Sequence, residues 1–384
     1  MNTWNLSFEQ GPIRPPSEAG SLLLRFTRNC PWNKCAFCPV YKSRTFSRRS
    51  LEEIRADIDA VRAILDGLKE LSVSMGFEGR LDNQVLNRVM VDPGYNDQQR
   101  QVAFWAARGQ GKAFIQDANS LILKTSKLAE ALRYLRATLP EVQRVTSYAR
   151  SSTVAGKGVE ELQELKAAGL DRLHIGMESG SDKVLALVNK KSTAQQHIDA
   201  GRAVIQSGIT LSEYIMPGLG GRPLSREHAL ETARVLNEIN PHFIRVRTLH
   251  IIPGTPLHEM LNSGEFEPMD DDEIVREIRL LIESLQNIES RITSDHVMNL
   301  LEKVQGTLPQ DKPEMLRLID EYLAMPREER LLYRLGRRGG ALRSPRDLSN
   351  PSVRSQLERA KQELETQQGK GLEEIIQDMG RQSL

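Results

Sequence analysis

The feature that most restricts this chain is a regular alternation of short apolar runs with segments of helical spacing across residues 21–252. Residues 21–27 (SLLLRFT) read as a buried strand, and residues 50–68 carry apolar side chains at helical spacing behind a Ser-Leu-Glu-Glu start of capping-box type. Strands are predicted at 113–116, 143–148, 172–177, 209–216 and 243–252, with helices at 126–139, 158–168, 181–188, 194–207 and 226–239. Six strands separated by helices predict a parallel sheet, because each crossover returns the chain to the same sheet edge. The fold class is therefore α/β. Residues 72–111 are too long for a simple connection and are expected to carry a helix near 98–107. From residue 270 onward the pattern turns helical, with helices predicted at 271–286, 294–304, 313–324 and 328–335. A Gly-, Pro- and Arg-rich linker (336–351) and a last polar helix (352–367) follow. The expected organisation is an extension (1–20), a core (21–264) with an insertion at 72–111, a helical cap (265–335), and a linker with terminal helix (336–384).

Cysteine usage narrows the chemistry. The chain has three cysteines, Cys30, Cys35 and Cys38, spaced C-x4-C-x2-C. An odd, clustered set argues against a disulfide framework. A closed structural zinc site needs a fourth ligand, and the 30–38 loop has no histidine. A 4Fe–4S cluster held by three thiolates leaves one iron open to another ligand. Composition adds exclusions. Fifty-two basic and fifty-one acidic residues give a net charge of +1, which excludes a strongly polyanion-seeking surface. No run approaches the 18 or so uninterrupted apolar residues of a membrane span, and the first ten residues lack a basic cap with an apolar core. A cytoplasmic location is expected.

Cys30-Pro-Trp-Asn-Lys-Cys35-Ala-Phe-Cys38 after the first strand of such a chain resembles the radical S-adenosylmethionine (radical SAM) superfamily, with Phe37 as the aromatic before the last cysteine and one extra residue in the first gap. The resemblance covers about residues 21–257 and lies toward the elongator-type and oxygen-independent coproporphyrinogen oxidase branch. It implies a partial (β/α)6 barrel with a C-terminal helical extension. It also implies one 4Fe–4S cluster on the three cysteines, S-adenosylmethionine on the open iron, and an electron donor such as flavodoxin or ferredoxin. By the same resemblance, Gln116, Asp117 and Asn119 lie where relatives hold the methionine amino group. Ser147 and Arg150 close the third strand, with Arg150 facing the methionine carboxylate. Glu178 lies near the ribose or methionine group, Lys190 near the carboxylate, and Gly218 and Ile252 near the adenine. The residue types suit those tasks: an ammonium group only donates, and one carboxylate can accept two ribose hydroxyls. A helix-start charge at Glu178 and an exposed cation at Lys190 are the plainer readings of those two residues.

Other residues carry less. Strand alternation puts His174, Gly176 and Glu178 on one face, and Thr248, His250 and Ile252 on one face of the last strand. His174 and His250 are candidate proton donors and Tyr214 a candidate radical relay, although core packing explains all three. Ser294-Asp295-His296 has the residue types of a hydrolase triad, but close neighbours on a helix do not face one another. Residues 327–346 hold seven arginines against two glutamates, with Tyr333 the one aromatic, and read as a solvated surface before an RNA site. Absent further cysteines exclude auxiliary clusters. About 20 residues before the first strand are too few for a cobalamin domain. The expected function is SAM cleavage and hydrogen abstraction from a small-molecule substrate. The alternatives are a haem- or cofactor-carrying relative of coproporphyrinogen oxidase and an RNA-modifying enzyme.

Overall fold

The computed structural model describes residues 6–382. Strands β1 (Leu22–Arg25), β2 (Lys112–Gln116), β3 (Arg144–Ala149), β4 (Arg172–Glu178), β5 (Thr210–Ile215), β6 (Phe243–Val246), β7 (Arg291–Thr293) and β8 (Gly306–Thr307) form one sheet whose order follows the chain. β1 to β4 pair in parallel, with Leu24 opposite Ile115, Phe114 opposite Thr146 and Tyr148 opposite His174. β5 to β7 also pair in parallel, with Arg245 opposite both Tyr214 and Thr293, and β8 returns antiparallel on β7. The α/β class and the helical C-terminal region are as expected.

The chain packs as two compact units. The first comprises residues up to Asn33, Val40–Ile175 and Asp199–Leu211; the second comprises Lys34–Pro39, Gly176–Ile198 and residues from Ser212 onward. In the first unit, α1 (Leu51–Ser74) starts on a capping box between Ser50 and Glu53 and buries Ile54, Ile58, Val61, Leu65 and Leu68. Each such side chain contributes about 1.5–3 kcal/mol on full burial. The insertion holds two helices, α2 (Asn83–Val91) and α3 (Asp97–Arg108), the first missed by sequence. α4 (Thr125–Thr138) and α5 (Ser151–Ala167) complete this unit; α5 starts seven residues before its predicted start and kinks at Gly158, whose φ of +76° only glycine adopts freely. α6 (Asp182–Leu187) belongs to the second unit, and α7 (Ala194–Gln206) runs from the second into the first. The second unit continues with α8 (Gly221–Ile239), α9 (Pro256–Ser263), α10 (Asp271–Ser284), α11 (Lys312–Ala324), α12 (Arg327–Arg338), α13 (Pro351–Gln368) and α14 (Leu372–Gln382).

Three expectations fail here for local reasons. The last predicted strand stops at Val246, because Thr248 bonds through N–H and hydroxyl to the Asn299 side chain at 3.0 Å instead of continuing a ladder. Thr248, His250 and Ile252 therefore do not share a strand face, although Thr248 and His250 line one cavity. Residues 294–304 are not a helix: Asn299 donates to Val246 O at 2.9 Å and to Ser294 Oγ at 3.0 Å, side-chain bonds that compete with helix formation. Ser294, Asp295 and His296 thus lie on a loop, and Asp295 is committed to arginines rather than to His296. Two short strands, β7 and β8, were not legible in sequence.

Candidate functional site

β1 leads into residues Thr27–Arg28, which pair with Ser47–Arg48 and frame the cysteine loop. None of the three cysteines is in a disulfide; Cys35 is buried and the other two are half-buried. Cys30 Sγ accepts a bond from Asn33 N–H at 3.3 Å within the first unit. Cys35 and Cys38 belong to the second unit, where Ala36 between them is pinned to Val188 O (2.8 Å) and to Leu257 N (3.0 Å). Among the described residues, no group of three or more His, Cys, Asp or Glu is gathered at metal-binding spacing. The donor chemistry nevertheless fits an iron–sulfur cluster: three thiols outside any disulfide within nine residues of sequence, and no other cysteine in the chain.

In the first unit, the strand-end residues after β2 are engaged internally. Asp117, fully buried, accepts from Arg25 Nε and Asn29 N–H at 2.7 Å each and from the Tyr41 hydroxyl at 2.9 Å. Gln116 spends its side chain on Gly11 and Ile13 of the N-terminal segment. Asn119 donates to Thr153 and accepts Arg150 N–H, and Ser147 donates to Tyr148 O. These contacts order the ends of β2 and β3. His174 is buried 3.6 Å from Glu18 and beside the rings of Phe114 and Tyr148. Burial alone would raise the Glu18 carboxyl; bonds from His174 and Ser21 and the Arg144 charge outweigh it and bring it down to about 2.

In the second unit, Glu178 ends β4 with φ of +64°, a conformation that side-chain-bearing residues rarely adopt. Its carbonyl accepts Met216 N–H at 2.9 Å and faces His228 Nε2 at 3.2 Å, and its carboxylate accepts Lys190 Nζ at 2.8 Å. Lys190 also lies 5.8 Å from the centre of the Phe37 ring, so the aromatic of the cysteine motif meets the Glu178–Lys190 pair of the β4 stretch. Gly176 makes the room: a Cβ there would lie 2.3 Å from Glu178 Oε1 and 3.1 Å from Lys190 Nζ. Glu213 on β5 was missed. It is fully buried with neither oxygen hydrogen-bonded, and burial, aided by the Glu178 charge, pushes its carboxyl well up. The signal was the one charged residue in the predicted strand 209–216. Gly218, at φ of +89°, donates its N–H to buried Glu277 at 2.7 Å, and Ile252 O accepts the Thr255 hydroxyl. His250 lines a cavity of about 620 Å³ with Gly218, His258, Asp271, Arg334 and Arg338. Tyr214 lies under the guanidinium groups of Arg245 and Arg247, at 6.0 and 5.2 Å.

A family model described as the radical SAM superfamily matches residues 24–236, more than half of the chain. The chain belongs to this superfamily. It is thus a radical SAM enzyme, and its cofactors are a 4Fe–4S cluster and S-adenosylmethionine. A tRNA uridine(34) acetyltransferase of Methanocaldococcus infernus is 25% identical over 120 residues, 31% of this chain and 22% of that protein. The uncharacterized protein YtqA of Bacillus subtilis is 24% identical over 166 residues, 42% of this chain and 51% of that one. The chain thus matches about a fifth to a half of the length of these curated relatives. Among solved structures, coproporphyrinogen III oxidase from Escherichia coli is similar with a TM-score of 0.43 at 15% identity, over 73% of this chain and 55% of that one.

The arginine-rich stretch of this radical SAM enzyme differs in part from its sequence reading. All seven arginines face carboxylates: Arg327 with Glu373, Arg330 and Arg334 with Asp272, Arg338 with Asp271, Arg337 and Arg343 with Glu302, and Arg346 with Glu314 and Glu321. Arg334, Arg337 and Arg338 are largely buried while Arg327, Arg343 and Arg346 are exposed, so the stretch is in part a buried ion-pair network and in part the solvated surface expected from sequence. Among the described residues, no helix is long and apolar enough to cross a membrane.

Proposed function

We propose that this enzyme holds its 4Fe–4S cluster through Cys30, Cys35 and Cys38 and acts in the cytoplasm on a small molecule by hydrogen abstraction. The observation that carries the reading is the meeting of Phe37, Lys190 and Glu178 directly beside the cysteine segment of the second unit. Bound on the three cysteines, the cluster and S-adenosylmethionine would supply reductive cofactor cleavage and hydrogen-atom abstraction from the substrate. The chain's own residues bind and orient. Glu178 would accept hydroxyls from the ribose, Lys190 would pair with the methionine carboxylate, and the backbone at Gly218 and Ile252 would face the adenine. Asp117 and Arg25 order the segment around Asn29, next to Cys30. Residues 265–335 would act as a cap, since α12 and the strand-end residues line one cavity. Flavodoxin or ferredoxin would supply the electron.

An RNA substrate is the competing reading, favoured by the named activity of the acetyltransferase relative. The neutralised arginine stretch removes the sequence feature that would have carried it here. The test is anaerobic reconstitution with iron and sulfide, addition of dithionite and S-adenosylmethionine, and mass-spectrometric quantification of 5′-deoxyadenosine. Production by the parent and none by a Cys30→Ala/Cys35→Ala/Cys38→Ala variant is expected. A parent that assembles no cluster would overturn the reading.

A further inference from the structure

The two buried arginines at the end of β6 face a charge imbalance within the second unit. Arg245 donates from Nε to Ser212 Oγ at 3.0 Å and from Nη1 to Asp295 Oδ2 at 3.3 Å. Arg247 donates from Nη1 to Asp295 Oδ1 at 2.7 Å and to Val246 O at 2.9 Å. Two guanidinium groups therefore share one carboxylate. Arg247 is 9% exposed, and its Nη2 is buried with no hydrogen-bond partner. A buried guanidinium nitrogen without an acceptor loses its hydration and recovers nothing for it. Both groups lie over the Tyr214 ring, whose electron-rich face tolerates a cation but does not neutralise it.

The surroundings keep the excess. Burial and the Arg247 charge push the neighbouring His296 down to about 4, so it stays neutral at physiological pH. Asp295 is held below the usual carboxylate range, burial opposing and Arg247 outweighing it, so it remains a single full negative charge. The side chain of Asp295 is 34% exposed, so the shared carboxylate is the part of the cluster that solvent reaches. The cluster also lies at the C-terminal ends of β6 and β7, which pair in parallel, and this is the edge of an α/β sheet where ligands bind.

We propose that Arg245 and Arg247 form a subsite for an anionic group of the substrate, a carboxylate or phosphate, which takes the open fork position of Arg247 while Asp295 bridges the pair. The proposal rests on the radical SAM reading for what the substrate is used for, but the subsite is testable without turnover. Asp295 is a positioning residue and also a competitor: both guanidiniums are spent on it in part, so removing its charge should make the pair a better anion trap.

The experiment uses the full, reconstituted protein, with inorganic phosphate and acetate as probes, chloride-matched ionic strength, and titration read by calorimetry and thermal shift. Saturable binding of at least one probe is expected for the parent, weaker by roughly ten- to a hundredfold in Arg247→Gln. Asp295→Asn should bind the same probe more tightly, a gain that a merely structural role for the cluster would not give. Arg245→Gln serves in the same way if Arg247→Gln does not fold. The proposal is overturned if the parent shows no saturable response to either probe, or if Arg247→Gln responds like the parent. Cofactor cleavage by the parent separates the two readings: saturable probe binding without any 5′-deoxyadenosine would count against the radical chemistry alone, and 5′-deoxyadenosine without probe binding against the subsite alone.

Discussion

Helix α12 with its following turn and the end of β6 are both rich in arginine, and they differ in one respect: the number of carboxylates each guanidinium can claim. Around α12, seven arginines meet Asp271, Asp272, Glu302, Glu314, Glu321 and Glu373, which come from α10, α11, α14 and a loop. At β6, two arginines share Asp295. The local charge count of a sequence window points to the first region as the anion seeker; the three-dimensional pairing points to the second. Charge density along a chain therefore says little about where an anion can bind, because partners come from distant segments.

That contrast can be broken most directly at its two central aspartates. Asp272→Asn should cost about 3–5 kcal/mol in chemical denaturation, since it strips Arg330 and Arg334 of their shared partner in a buried place. Phosphate should not restore that loss. Asp295→Asn should cost less and should be restored by phosphate; equal behaviour of the two variants would erase the distinction drawn here. The Glu18 site in the first unit supplies a balanced reference. Its carboxyl is lowered from 4.5 to about 2, so its contribution, on the order of 3 kcal/mol, is fully present above pH 4.5 and is lost as pH falls toward 2. Glu18→Gln should flatten the acid limb of the stability–pH curve over that window.

Glu213 is expected to act in the opposite sense. Its carboxyl is raised by burial, so its contribution is present below pH 4.5 and drains away as pH climbs toward the folded-state value. Glu213→Gln, isosteric with the neutral acid, should remove that alkaline dependence, which stability curves measured from pH 5 to 9 would reveal. The smallest effect belongs to the exposed members of the arginine network: Arg327→Ala and Arg343→Ala should each change stability by less than about 1 kcal/mol.

The sheet was legible because buried parallel strands separated by amphipathic helices leave a repeating apolar signature, and β1 to β5 fall within two residues of their predicted bounds. The cysteine cluster was legible from its spacing, whereas Phe37, Glu178 and Lys190 were singled out through the family resemblance; their meeting is a matter of geometry, since only Glu178 lies at a strand end. Arg245 and Arg247 were not, since two charges in a strand read as an edge rather than as a buried pair. Asn299, whose single side chain ends one strand and forbids a helix, was invisible for a different reason: its three partners lie up to 53 residues away.

Gly176 offers no functional atom, yet the space it leaves holds the carboxylate of Glu178 and the ammonium of Lys190. An added methyl would meet the tips of two flexible side chains and no backbone, so Gly176→Ala should leave the fold intact and displace the Glu178–Lys190 ion pair alone. A residue without a side chain thus sets where a charged pair can rest, and a change there would be felt in the position of that pair before it is felt in stability.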